Sequence, residues 1–267
     1  MKDILEEIVA NKRQEVAQAK KLLPAKELYP LVEKIIDENG LKQRFMRECL
    51  CQSASGIISE FKRKSPSKGW IHEDASVTDV VPKYAANGAS AISILTDYNY
   101  FGGQQDFIRN VRPTIETPIL RKDFIIDEYQ LYEAKSIGAD AVLLIAADLS
   151  QTEFCTLLQK AHELGLEVLL EVHDRKELDY IRPEVDMVGV NNRHLGTFHT
   201  DVQQSFDIAD RLPKEFTLVS ESGISQPETV KKLREVGFRG FLIGETFMKE
   251  PDPGEALKSF IQKVETK

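Results

Sequence analysis

The chain lacks most features of secreted, membrane-spanning and nucleic-acid-binding proteins. Its three cysteines are an odd number in 267 residues, which argues against a disulfide framework. It has no run of about 18 apolar residues that could span a membrane, and its first residues lack the apolar core of a signal peptide. Acidic residues outnumber basic ones, 43 to 35, which is unlike a nucleic-acid-binding surface. We therefore expect a cytoplasmic protein that contacts neither nucleic acid nor membrane.

Two of the cysteines, Cys49 and Cys51, stand close enough in sequence to suggest a pair of metal ligands. No second cysteine pair follows them, and no histidine follows at the spacing that zinc sites use. Reduced thiols are the preferred interpretation, and we expect no metal site.

Beyond residue 55, short apolar runs alternate with helical segments that have one polar face. Runs that are apolar throughout indicate strands covered on both sides, and alternation with helices indicates a parallel sheet. Eight such units in about 210 residues match a closed (β/α)₈ barrel, or TIM barrel. An open doubly wound sheet is the alternative, although no Gly-x-Gly-x-x-Gly follows the first strand. The predicted strands are 56–61, 91–95, 118–120, 141–145, 168–172, 187–190, 218–220 and 241–244.

Residues 1–55 have the pattern of helices instead. Apolar residues recur there at helical spacing, first at Ile4, Leu5, Ile8 and Val9, then at Leu28, Leu31, Val32, Ile35 and Ile36. No linker rich in proline, glycine or serine separates this part from the rest. We predict one domain overall, with an N-terminal helical extension at 1–55 packed on a (β/α)₈ barrel at 56–267.

Polar side chains follow the predicted strands at their carboxyl ends, where barrels of this type carry their chemistry. Residues two apart in a strand face the same side, so a polar residue two positions after an inward-facing apolar one also faces inward. Glu60 and Lys62 follow Ile58 in this way. The same alternation predicts that four further polar residues face inward: Lys122, Glu171, Asn191 and Glu221. The opposite parity predicts packing or pairing beneath the helices for Arg63, Lys64, Arg121 and Asp123.

A glycine stands at the end of each of the last two predicted strands, Gly223 in SESGI and Gly244 in LIGETF. Glycine lets the backbone approach a ligand closely. These two strands are where barrels often bind phosphate through backbone N–H groups and a helix N-terminus. The pair of glycines predicts a phosphate-binding turn.

Seven motifs in one order resemble the indole-3-glycerol phosphate synthases of tryptophan biosynthesis. The resemblance spans roughly residues 1–250 and includes the helical extension. It implies a (β/α)₈ barrel that closes the ring of 1-(o-carboxyphenylamino)-1-deoxyribulose 5-phosphate with loss of CO₂ and water, using no cofactor. The motifs are SEFKRKSPSKG, ILRKDFI, GADAVLLIAADL, LLEVHD, GVNNR, VSESGI and LIGETFM.

The resemblance also implies roles for residues at matching positions. Lys122 resembles the general acid of ring closure, and Glu171 the acid/base partner of the dehydration. Glu60 resembles the carboxylate that positions the substrate, and Lys62 the lysine that contacts the substrate carboxylate. Substrate-orienting positions are Asn191, Glu221, Ser222 and Arg193, and phosphate-binding positions are Ser65, Gly223, Gly244 and Glu245. The implied partner is a phosphorylated small molecule, with transient contact to other enzymes of the pathway.

Two expectations concern proton transfer. A lysine crowded by Lys62 and desolvated at the barrel mouth should have a lowered pKa, which suits Lys122 as a proton donor. Glu171, beside apolar barrel residues, should have a raised pKa. Two alternatives stay open: a phosphoribosylanthranilate isomerase, which would start near its first strand and use a cysteine there, and a barrel that only binds a phosphorylated ligand.

Three further residues have plain structural interpretations. Lys12 is expected on a solvated helix face. His173 is expected in a strand-end hydrogen bond, with an effect on the pKa of Glu171 as the alternative. Trp70 either packs on the substrate or anchors the loop that begins at the Ser-Pro-Ser segment.

Overall fold

Eight parallel strands form a closed barrel in the computed structural model, which describes residues 4–41, 44–194 and 199–266. Each strand pairs with the next in the sequence, and the eighth pairs with the first, with Ile57 opposite Phe241. The predicted (β/α)₈ barrel is therefore confirmed, and the open sheet is wrong. The strands are β1 Ile57–Phe61, β2 Ala91–Leu95, β3 Ile119–Lys122, β4 Ala141–Ile145, β5 Glu167–Val172, β6 Met187–Asn191, β7 Thr217–Glu221 and β8 Phe238–Ile243.

The predicted strands agree with these bounds to within one residue except at two places. The third continues to Lys122, because the apolar run ends in charged residues that still pair with β2. The eighth begins at Phe238 instead of residue 241, because the exposed Arg239 and Gly240 interrupt its apolar run.

Helices cover the outside of the barrel and precede its first strand. Four of them are followed by a glycine with φ between 67° and 110°, as a left-handed helix end requires: Gly88, Gly138, Gly165 and Gly237. Among the described helices, none is long and apolar enough to cross a membrane. The helices are α1 Ile4–Leu22, α2 Ala25–Asn39, α3 Met46–Gln52, α4 Val77–Ala86, α5 Gln105–Val111, α6 Glu128–Ile137, α7 Gln151–Glu163, α8 Gln203–Ala209, α9 Pro227–Glu235, α10 Glu245–Met248 and α11 Pro253–Glu265.

The helices before β1 cover both ends of the barrel and one side. Leu5 and Ile8 of α1 pack on the barrel interior at the carboxyl ends of the strands. Helix α3 covers the opposite end, where the backbone N–H of Met46 donates to Glu167 at the start of β5. Helix α2 packs on α6 through stacked tyrosine rings 3.7 Å apart, and Leu31 of its apolar stripe is 50% exposed.

Candidate active site

A cavity of about 370 Å³ opens at the carboxyl ends of the barrel strands. All twelve positions that the sequence assigns to catalysis, substrate binding or phosphate binding line it. The parallel strands explain this convergence, because all eight bring their carboxyl ends, and the loops that follow, to one mouth. The twelve are Glu60, Lys62, Ser65, Lys122, Glu171, Asn191, Arg193, Glu221, Ser222, Gly223, Gly244 and Glu245.

Two lysines and three glutamates pair across the mouth. The Nζ of Lys122 lies 2.8 Å from Oε2 of Glu171 and 3.1 Å from Oε2 of Glu221. The Nζ of Lys62 lies 2.6 Å from Oε1 of Glu60. The three carboxylates are almost fully buried, so these ion pairs act in a region of low dielectric, where charges interact strongly.

The pKa of Lys122 is raised, and the prediction of a lowered value is wrong. Burial by itself lowers this pKa, but the neighbouring carboxylates raise it by more, with Glu171 contributing most, then Glu221 and Glu60. The expected crowding by Lys62 is offset, because Lys62 pairs with Glu60. Lys122 is therefore a charged ammonium.

The two carboxylates beside Lys122 have opposite pKa shifts. Burial raises the pKa of Glu171, but Lys122 and His173 lower it by more, so the net pKa lies below the ordinary value and the predicted increase is wrong. Burial raises the pKa of Glu221 to about 7. Lys122 lowers this pKa and repulsion from Glu171 and Glu60 raises it, but burial is the largest effect. The carboxyl that gains a proton near neutral pH is Glu221.

His173 and Asn191 hold the second oxygen of Glu171. Asn191 Nδ2 donates to Glu171 Oε1 over 3.0 Å, and His173 Nε2 lies 3.1 Å from the same oxygen. Burial lowers the pKa of His173, but Glu171 and Glu177 raise it to about 10, so the ring is an imidazolium. The backbone N–H of His173 also donates to Glu177 over 2.6 Å. Both interpretations of His173, the strand-end hydrogen bond and the effect on Glu171, are confirmed.

Glycines make room for two of these carboxylates, and sequence reasoning missed this role. A Cβ on Gly189 of β6 would overlap Oε1 of Glu221, and a Cβ on Gly244 would overlap Oε1 of Glu60. Gly244 was predicted to let a ligand approach the backbone closely. In the structure, the carboxylate of Glu60 occupies the space beside it. Its strand-end position was the only signal in the sequence.

The turn after β7 differs from the one after β8. Ser222 and Gly223 both have left-handed backbone angles, with φ of 68° and 77°. A turn can direct successive backbone N–H groups toward an anion. A short hairpin formed by Lys64–Ser65 and Gly69–Trp70 contributes Ser65, Pro66 and Lys68 to the lining of the cavity. Nη1 of Arg193 reaches this hairpin by donating to Ser67 Oγ over 2.7 Å.

The residues of opposite parity pair beneath the helices, as predicted for Arg121 and Asp123. Arg121 is buried, pairs with Asp123 over 3.0 Å and donates to the backbone oxygen of Gln130 in α6 over 2.8 Å. Trp70 lies against Arg63, 5.6 Å from its guanidinium, and does not line the cavity. This contact favours the loop-anchoring interpretation of Trp70.

The interpretation of Lys12 as a solvated residue is wrong, because only 3% of its surface is exposed. Its ammonium lies 2.9 Å from both Asp97 Oδ2 and Asp123 Oδ1. A signal was present in the sequence, since Lys12 continues the stripe of Leu5 and Ile8 at helical spacing.

The raised pKa of Glu221 predicts how stability varies with pH. A carboxyl whose pKa is about 7 in the folded protein and about 4.5 when unfolded takes up a proton on folding. Its contribution to stability is full below the unfolded pKa and is lost as the pH rises through 7. The Glu221→Gln variant lacks this titration, so it should gain stability relative to the unmodified protein between pH 5 and pH 8.

Urea unfolding of both proteins at the two pH values measures this difference. Burial also raises the pKa of Glu167 to about 7. Both proteins contain Glu167, so its contribution cancels in the stability difference between them. A stability difference that does not change with pH would contradict the assignment of the raised pKa to Glu221.

Comparison with known proteins identifies the family. The family model for indole-3-glycerol phosphate synthase matches residues 5–260. The chain is 57% identical over 265 residues to the indole-3-glycerol phosphate synthase of Bacteroides thetaiotaomicron, covering 99% of this chain and 100% of the relative. It is 40% identical over 262 residues to the enzyme of the same name from Bordetella pertussis, covering 98% and 100%.

Solved structures support the fold alone, because their sequence identity to this chain is low. The α-subunit of tryptophan synthase from Legionella pneumophila superposes with a TM-score of 0.61 at 14% identity, covering 83% of this chain and 98% of that one. A 3-hexulose-6-phosphate synthase superposes with a TM-score of 0.64 at 12% identity, covering 78% and 99%. With a family model over nearly its whole length and full-length relatives of one name, the chain belongs to the indole-3-glycerol phosphate synthase family.

Proposed function

We propose that this barrel mouth closes the indole ring of 1-(o-carboxyphenylamino)-1-deoxyribulose 5-phosphate, with Lys122 as the acid. Membership of the family makes the chain a carbon–carbon lyase of tryptophan biosynthesis that acts on a small phosphorylated substrate. The observation that carries the assignment of the acid is the ammonium of Lys122, which lines the cavity and is held between Glu171 and Glu221.

The cavity offers a different surface to each part of this substrate. An apolar wall suits the carboxyphenyl ring, and Lys62 at the rim supplies a charge for its carboxylate. The left-handed turn at Ser222 and Gly223 directs backbone N–H groups toward the phosphate, with Ser65, Gly244 and Glu245 completing the site. The apolar wall is formed by Ile4, Leu5, Ile8, Phe101, Phe124, Leu143 and Ile145.

Ring closure begins when the ring carbon that bears the carboxylate attacks the ketone carbon. Negative charge develops on the ketone oxygen, and the Lys122 ammonium stabilises it and donates a proton as the oxygen becomes strongly basic. A raised pKa does not prevent this step, because an alkoxide is far more basic than a lysine amine. Loss of CO₂ then restores the aromatic ring.

Dehydration follows, and it needs a base for a carbon-bound proton and an acid for the departing hydroxyl. Glu171 is ionised and fixed by Asn191, so it can accept the proton. The hydroxyl leaves as water after taking a proton from a protonated Glu221, or from Lys122 once solvent has replaced the proton that it gave to the ketone oxygen. The sum of the steps converts the substrate into indole-3-glycerol phosphate, CO₂ and water.

A turnover assay decides among the candidate activities. Addition of the carboxyphenylamino-deoxyribulose phosphate should produce indole absorbance and fluorescence. A barrel that only binds its ligand would give none. The isomerase alternative is not supported, since β1 ends in Glu60 and Lys62 without a cysteine and three helices precede it. Conversion of phosphoribosylanthranilate in place of the proposed substrate would reverse that conclusion.

Replacing Glu171 with glutamine should slow the chemical step and leave substrate binding nearly unchanged. The amide has nearly the same shape but cannot accept the proton, so we expect kcat to fall by about 10²-fold or more. Single-turnover kinetics measure the chemical step directly. Unchanged chemistry with weaker binding would make Glu171 a binding residue.

Inorganic phosphate should compete weakly with the substrate, and a dephosphorylated substrate should react very poorly. Binding energy from a remote phosphate supports both affinity and turnover. Gly223→Val should mainly raise KM. The valine side chain would press on Thr200 and Val202, and this crowding would disturb the turn that is proposed to bind phosphate. Normal reaction of the dephosphorylated compound, without competition by phosphate, would reduce the turn to a structural element.

We also propose the division of the chain into an extension at 1–55 and a barrel at 56–267 within one domain, a cytoplasmic location, and transient contact with other tryptophan-pathway enzymes. The packing of α1 and α3 on the two ends of the barrel supports the single domain. One cooperative unfolding transition, cell fractionation, and cross-linking in cells that produce the protein test these three points.

A further inference from the structure

Lys12 is a buried lysine on a helix outside the barrel. Its ammonium bridges Asp97, which follows β2, and Asp123, which follows β3, over 2.9 Å each. It also lies 2.5 Å from Glu15 on the same helix. Burial by itself lowers the pKa of Lys12, but the two aspartates raise it well above the ordinary value, so the side chain stays charged.

The aspartates that Lys12 joins are part of the barrel rim. Asp123 directly follows Lys122, accepts from Thr96 Oγ1 over 2.6 Å and pairs with Arg121 over 3.0 Å. Asp97 accepts from the backbone N–H of Tyr100 over 2.9 Å. The contact therefore ties α1 to the strand that carries Lys122 and to the loop that leads to Phe101.

The face of α1 that carries Lys12 also lines the cavity. Leu5, Ile8 and Lys12 follow one another at intervals of three and four residues, so they share one side of the helix. Leu5 and Ile8 line the cavity, and Phe101 and Phe124 line it beside them. This arrangement places part of the apolar wall and the buried ion pair on one face of α1.

We propose that Lys12 is a positioning residue that fixes α1 on the rim and so holds the apolar wall in place for the substrate's aromatic ring. The proposal rests on the proposed function only for the identity of that ring. A buried ammonium between two carboxylates has a defined position, whereas apolar contacts alone would let the helix slide. Lys12 acts on the aromatic end of the site and leaves the phosphate turn, formed by β7 and β8, unaffected.

A second lysine of the same helix provides a matched control. Lys20 pairs with Asp127 over 2.7 Å, but both side chains are more than a third exposed. Lys12→Met and Lys20→Met each remove one ammonium and keep the aliphatic chain. Lys12→Arg keeps the charge and should restore much of the lost affinity.

We expect Lys12→Met to raise KM at least about tenfold, since a misplacement near 1 Å can cost about 10²-fold. Lys20→Met should stay within about twofold of the unmodified protein, as surface substitutions do. The inhibition constant of inorganic phosphate should be unchanged in both. Equal KM changes in the two variants, or a phosphate inhibition constant that changes with KM, would overturn the proposal.

Two further measurements keep the proposal testable. If Lys12→Met does not fold, Asp97→Asn removes one end of the bridge, and an unchanged KM in that variant would overturn the proposal. If the unmodified protein shows no turnover, hydrogen exchange of the α1 amides, measured without substrate, replaces KM. Faster exchange in Lys12→Met than in Lys20→Met supports the proposal, and equal exchange overturns it.

Discussion

Replacing Lys122 with methionine is expected to lower kcat by at least about 10²-fold, the usual effect of losing a positioned acid. Methionine keeps most of the volume of the side chain and removes the ammonium. It also leaves Glu171 and Glu221 facing each other without the cation that now lies within 2.8 and 3.1 Å of them. One of the two carboxylates should then take up a proton at neutral pH, because two buried negative charges close together are costly.

The variant is best measured in single-turnover experiments beside Lys160→Met. Lys160 pairs with Glu163 on the outer surface of α7, away from the cavity. The control should retain normal kinetics. Turnover by Lys122→Met within a few-fold of the unmodified protein would reject Lys122 as the acid.

Gly189→Ala is expected to reduce activity about as strongly, although no reaction step uses Gly189. The added methyl group would overlap Oε1 of Glu221 and crowd Leu169, so the Glu221 carboxylate must move away from Lys122. A displacement of about 1 Å in a catalytic group can cost about 10²-fold in rate. Overpacking of this kind also costs about 1–3 kcal/mol of stability.

Gly240→Ala separates the two effects. Gly240 also faces the barrel interior, but its added methyl group would meet Val219, Leu50 and Ile58 at the other end. We expect that variant to lose stability and keep its kcat. Shortening the crowded side chain, in Gly189→Ala with Glu221→Asp, should relieve the overlap and recover part of the activity. Normal kcat in Gly189→Ala, or an equal loss of kcat in Gly240→Ala, would contradict the mechanism.

The number of barrel strands and the faces of their residues could be predicted from the sequence alone. Both depend on local rules: apolar runs form strands, and residues two apart face one side. The first strand illustrates this. Alternation from Ile58 predicts that Glu60 and Lys62 face inward, and both line the cavity. The resemblance to a family then supplied roles that alternation cannot supply.

Protonation could not be predicted, because it depends on which charges from other strands come nearest. Lys62 was expected to repel Lys122, but it pairs with Glu60, and three carboxylates raise the pKa of Lys122. Glu171 and Glu221 looked alike in the sequence, at the ends of two strands. Burial raises the pKa of both, but Lys122 and then His173 lower the pKa of Glu171 below its ordinary value, whereas burial raises the pKa of Glu221 to about 7.

The amino-acid sequence by itself determined the barrel, its helical extension and the set of residues at its mouth, because periodicity and helix-ending glycines act over a few residues. Only the tertiary structure decided that Lys12 is buried between two aspartates of the rim and that Gly189 makes room for Glu221. Both facts join residues far apart in the chain. Their physical cause is the close packing and low dielectric of the barrel mouth, where the position of each charge depends on its neighbours from other strands.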